Sequence, residues 1–123
     1  MRLPEHIRSI FLDTKGEVTG SRFLGDFKVK VVLSNSERLA EARLYKNFLP
    51  NDQSVSPRDR ADAIVLSELA VKVIDGPDWW KESDSGKNMV DMEPLYALLV
   101  KIKEEGVKWS EEVQKLNEEA LKG

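Results

Sequence analysis

Between Ala61 and Ile74 the chain carries Ala61, Ile64, Val65, Leu66, Leu69, Ala70, Val71, Val73 and Ile74, with charge only at Asp62, Glu68 and Lys72. On a helical period these residues leave a narrow polar strip, extended at its ends by Arg58 and Asp75. A helix that is apolar around most of its circumference cannot stand in water, so other elements must surround it. Its start is well marked in Ser56-Pro57-Arg58-Asp59. Ser caps free amides, Pro suits the first helical position, and Asp in the first turn complements the helix dipole. Gly76 is expected to supply a left-handed stop, with Pro77 preventing continuation.

The covering elements are of two kinds, with the change near residue 34. Before it, residues 6–12 hold Ile7, Ile10, Phe11 and Leu12, and residues 23–33 alternate through Phe27, Val29, Val31 and Leu33 against Lys28 and Lys30. Alternation over this length predicts strands with one buried and one solvated face. Gly16 and Gly20 between them fit an antiparallel hairpin. A bare hairpin is marginal in water, so its apolar face must cover the helices or another copy of the chain. Lysines at 28 and 30, if that strand were an exposed edge, would discourage further pairing.

After residue 34 the period lengthens. Ser34 and Glu37 have capping-box spacing, which predicts a helix over 35–48. Its apolar side is Leu39, Ala42 and Tyr45 with Leu49, or Leu44 with Phe48, and Pro50-Asn51-Asp52 closes it. Asp91 is expected to cap a third long helix, with Pro94 in its first turn and a stripe of Leu95, Leu98, Leu99 and Ile102. Gly106 is expected to break or bend it, leaving Trp109, Val113, Leu116 and Ala120 as a seam on a terminal helix. No internal repeat or linker divides the chain. The expected fold is α+β, mostly α, in a single domain over 1–123: an N-terminal antiparallel β-hairpin (1–34) packed on a bundle of about four helices (35–123).

With 41% hydrophobic and 33% charged residues the chain should fold as a soluble protein. A net charge of −3 provides no basic face for nucleic acid, and no apolar run nears the roughly 18 residues that span a bilayer. The absence of cysteine removes disulfides, thiolate nucleophiles and sulfur metal sites, and fits a cytoplasmic location. His6 is the single histidine, so a triad or zinc site built on histidine cannot be completed. The glycines match neither phosphate-loop spacing. Asp84-Ser85-Gly86-Lys87-Asn88 with Asp91 gathers oxygens, yet departs from an EF-hand and places Lys87 among them, so it reads as a turn leading to a cap. Asp78, Glu82, Asp84 and Asp91 show no spacing that pairs an acid with a base. We therefore expect no cofactor, no metal and no enzymatic activity.

Trp79 and Trp80, after Gly76-Pro77-Asp78, place a large aromatic area where a helix ends and the backbone turns. They either staple the loop to the core or anchor a partner. The same two readings hold for Trp109, Tyr96 and Leu116, which lie on loop-adjacent or narrow-seam positions. All five are candidate partner-binding residues.

The order of features resembles the small tail assembly chaperones of long-tailed bacteriophages. The resemblance spans about residues 20–110. It rests on Gly25-Asp26-Phe27-Lys28-Val29-Lys30 running into Leu33-Ser34 and a charged helix, then the Ala61 to Ile74 helix, then Pro77-Asp78-Trp79-Trp80, the Asp84-Ser85-Gly86 turn, and Asp91 before Leu95. It implies a non-enzymatic role in an infected host cell, coating the tape measure protein and helping recruit tail tube subunits. It also implies self-association and a longer frameshifted form. The strand-like N-terminus departs from the all-helical expectation for such proteins. A structural adaptor of the virion, or a regulatory protein that binds a host factor, are the other classes this composition suits.

Overall fold

A computed structural model describes residues 2–51 and 54–122. Two strands, β1 (Ile7–Lys15) and β2 (Arg22–Lys30), form the expected antiparallel hairpin, and α1 (Asn35–Phe48) and α2 (Pro57–Lys72) follow. A third strand, β3 (Val73–Asp75), then precedes a short α3 (Asp78–Glu82) and a long α4 (Glu93–Lys122). The architecture is α+β, with a three-stranded antiparallel sheet ordered β1-β2-β3.

The hairpin pairs Ile7 with Lys30 through to Lys15 with Arg22. This register turns Ile10, Leu12, Phe27 and Val29 to the same side, where all four are buried beneath α2 and α4 with Leu69, Leu95, Leu98 and Ile102. Each such side chain contributes about 1.5–3 kcal/mol relative to exposure. Val31 continues the buried line, its amide donating to the His6 carbonyl at 2.9 Å.

α1 starts as its spacing predicts: the Glu37 amide donates to Ser34 Oγ at 3.2 Å, and the Ser34 amide returns to Glu37 Oε1 at 2.9 Å. Of the closing residues predicted for it, Asp52 lies outside the described residues. α2 starts on Ser56, whose hydroxyl accepts from the Asp59 amide at 3.1 Å, with Pro57 in the first turn.

α2 stops earlier than the apolar run suggests. Val73 makes the last helical bond to Leu69, then turns extended and pairs opposite Val29, while Asp75 pairs opposite Lys28. β-Branched Val73 and Ile74 are weak helix formers, and the outer side of β2 offers unpaired amides and carbonyls. β2 is therefore the central strand, and Lys28 lies opposite Asp75 rather than on an edge. Gly76 is not left-handed. Its lack of a side chain makes room for aromatic rings, since a Cβ there would lie 2.9 Å from both Phe27 Cε1 and Trp80 Cδ1.

α4 runs unbroken through Gly106, for about 45 Å at 1.5 Å per residue. A Cβ at Gly106 would stand 3.1 Å from the Val31 carbonyl oxygen, so this glycine marks a close approach to the end of β2 rather than a break. Arg8 of β1 ties the helix down, reaching Glu105 at 3.5 Å and Glu112 at 2.8 Å. Lys101 reaches round to the Phe11 carbonyl at 3.0 Å, placing a charge on the outer side of β1, where it discourages further pairing.

Asp91 does not cap α4. It is buried, and it grips the turn of the β1–β2 hairpin: Oδ1 accepts from the amides of Val18 at 2.7 Å and Thr19 at 3.3 Å, and Oδ2 from the Thr19 hydroxyl at 2.5 Å. Glu93 adds a bond from the Glu17 amide at 2.8 Å. The Thr19 hydroxyl and the two amides together hold the Asp91 carboxyl below its ordinary range, against the effect of burial. Among the described residues, no helix is long and apolar enough to cross a membrane.

Candidate functional site

The five residues singled out from the sequence fall in three places. Trp80 is in the core, edge-on to Phe27 with ring centroids 5.8 Å apart. Trp79 is half-buried on β2, packed edge-on to Phe23 at 5.1 Å and Phe27 at 5.6 Å, with its indole N–H donated to the Leu24 carbonyl at 3.0 Å. Adjacent positions on a short helix thus send one ring inward and lay the other along the sheet. Trp109 and Leu116 lie half-buried on the distal half of α4, and the Trp109 indole donates to the Pro4 carbonyl at 3.0 Å. Tyr96 stands apart from these, at a groove between α2 and α4.

That groove follows from the way α4 is written. Leu95, Leu98, Leu99 and Ile102 form its buried stripe, and Tyr96, Val100 and Val107 fall on a second apolar line, one step round the helix. Tyr96 donates to Asp62 at 2.8 Å and Lys103 approaches Glu68 at 3.9 Å, so α2 and α4 run side by side in the same direction. Between them Ala61, Ile64, Val65, Leu99 and Val100 line a cleft of about 260 Å³, with Tyr96 and Lys103 at its rim. Ile64 is 43% exposed and Val100 55%, so the floor of the cleft is open to a partner. Burial, then the hydrogen bond to Asp62 and its charge, push the Tyr96 phenol up to about 12, which keeps it a neutral donor at physiological pH.

A second cleft of about 430 Å³ opens on the other side of Ile64, between α1 and α2. Ala42 and Tyr45 supply its apolar wall, and Arg38, Lys46, Glu41 and Glu68 its charges. Leu39, 59% exposed, lies on the same helix. The two clefts share Ile64 and make one apolar surface across three helices, bordered by charges of both signs. The sequence reading missed this surface because Ile64, Val100 and Val107 are indistinguishable by type from core residues. Its one available signal was that α4 has more apolar positions than a single stripe requires.

Chemically the surface suits association. It offers apolar area, a phenol whose proton goes to Asp62 and whose oxygen can still accept, and rim charges that can pair with either sign. Such a patch rimmed by polar groups is how soluble proteins present binding sites for other proteins. Comparison with protein-family models, with curated proteins and with solved structures finds no match to this chain.

Proposed function

We propose that the protein is a non-enzymatic binding protein that takes the apolar stripe of a partner helix into the surface around Ile64, Tyr96 and Val100. In its specific form it is a tail assembly chaperone of a long-tailed bacteriophage, acting in the cytoplasm of the infected cell. Its client is the tape measure protein, which it keeps soluble while helping to recruit tail tube subunits. The observation that carries the reading is the exposure of Ile64 and Val100 in a cleft between two parallel helices. An amphipathic helix fits a groove of that kind through anchors at i, i+3, i+4 and i+7. Trp79, Trp109 and Leu116, each half-buried, are candidate secondary anchors outside the groove.

The test is light scattering of a helical tape measure fragment, with and without the protein. The expected result is a defined complex that suppresses aggregation, lost in the Ile64→Lys, Val100→Lys double variant. Both substitutions are at partly exposed positions, so helix content by circular dichroism should be unchanged. Suppression that survives the double variant would remove the groove from the mechanism. Finding the protein in purified virions would favour a structural adaptor instead.

A further inference from the structure

α1 differs from the other helices in having no buried residue among those described. It lies against α2, and a Lys30–Glu37 ion pair ties its first turn to the sheet. Its capping box is local, so the helix start does not depend on α2. At the contact with α2 is Glu41, whose Oε2 is buried and has no hydrogen-bond partner among the described residues. The charged groups facing it are Glu68 and Lys72 of α2 and Lys103 of α4, and Arg38, Tyr45 and Lys46 of its own helix line the same cleft. Both lysines are engaged by Glu68, at 3.4 Å from Lys72 and 3.9 Å from Lys103. An ionised carboxylate oxygen buried without a partner favours any arrangement that returns it to water.

We infer that α1 is a movable cover on α2, swinging about its Lys30–Glu37 tether, and that Glu41 biases it towards the open position. Opening uncovers the Ser67 side of α2 and merges the two clefts flanking Ile64 into one trough. The consequence for a client rests on the groove reading above; the helix motion does not.

The direction with pH follows. Burial raises the Glu41 carboxyl above its ordinary 4.5, opposed by Lys72, supported by Glu68 and opposed again by Lys103. The closed form is therefore favoured fully below that ordinary value and loses the advantage as pH rises through the raised one. Glu37, held at about 2 chiefly by its bond to Lys30, keeps the tether charged across this window.

Hydrogen exchange of the full chain, corrected for intrinsic rates, reads the motion without any client, because a 14-residue helix lifted off α2 is marginal in water and opens its own amide bonds. At neutral pH the amides of α1 should open more readily than those of α2 and α4. Glu41→Gln, which keeps the shape and removes the buried charge, should slow α1 exchange by at least about fivefold while leaving α4 unchanged. Glu41→Met should act in the same direction, and Glu37→Gln, which cuts the tether, should speed α1 exchange. Exchange of α1 in step with α2 and α4, or α1 rates unchanged in both Glu41 variants, would overturn the inference. A chain whose α1 opens but whose groove binds no helix would retain the cover and refute only the binding site.

Discussion

Gly16→Ala tests how the hairpin is locked to the helical layer. Gly16 is buried and its φ is not left-handed, so the backbone itself accepts alanine. The obstacle is the Asp91 carboxyl group: a Cβ at Gly16 would sit 2.2 Å from Cγ, 2.2 Å from Oδ2 and 2.7 Å from Oδ1. Comfortable carbon contacts begin near 3.5 Å, so the deficit exceeds about 1 Å and the carboxylate must leave its place. Overpacking of this kind costs about 1–3 kcal/mol, and the hydrogen bonds released from Val18 and Thr19 add to it, giving about 3 kcal/mol in total. For a chain of this length that is a fall in Tm of about 12 °C. Urea unfolding followed by tryptophan fluorescence measures it. Gly20→Ala is the control, because its neighbour is no nearer than 4.0 Å and only its φ of +73° is penalised, at about 1 kcal/mol. The decisive comparison is Gly16→Ala in an Asp91→Ala background, where its cost should drop below about 1 kcal/mol. An equal cost in both backgrounds would refute the carboxylate as the cause.

Two further predictions concern the aromatic pair and the α1 tether. Trp80→Ala should lower stability by about 3–5 kcal/mol, whereas Trp79→Phe, which keeps a ring on the sheet but loses the bond to the Leu24 carbonyl, should cost about 1 kcal/mol; urea midpoints that reverse this order would contradict the packing described. The Glu37 carboxyl, depressed to about 2, supports folding fully above its ordinary 4.5, and that support is lost as pH falls towards about 2. Carbon-detected NMR titration should show the depressed value, and Lys30→Ala should raise it towards 4.5, with the Ser34 bonds still holding it below that.

Much of the fold was legible because the signals were local. Ser34 with Glu37, and Ser56 with Pro57 and Asp59, place helix starts by satisfying amides within four residues, and no distant partner is needed to read them. The alternation from Phe27 to Val31 fixes which face of β2 is buried. What could not be read were choices between equally good local answers. Val73 and Ile74 continue an apolar helix by pattern, but β2 had an open side to which they could pair. Asp91 looks like a cap by position, but the amides of the hairpin turn, 72 and 73 residues earlier, take its carboxylate instead. The candidate site was harder still. Of the residues picked out by type, Tyr96 alone lines the groove. Tryptophan draws attention as an anchor, yet Trp80 fills the core against Phe27.

By itself the sequence determined which segments can be helix or strand, where the capped helices begin and which side of the central strand faces inward. These depend on periodicity and on hydrogen bonds that close within a turn. Tertiary structure alone decided that β3 ends α2, that Asp91 clasps the hairpin, that Gly76 and Gly106 serve close contacts instead of turns, and which apolar residues of α2 and α4 stay exposed. Each of those depends on an element far away in sequence supplying or withholding a partner. An apolar side chain is core when another element covers it and binding surface when none does.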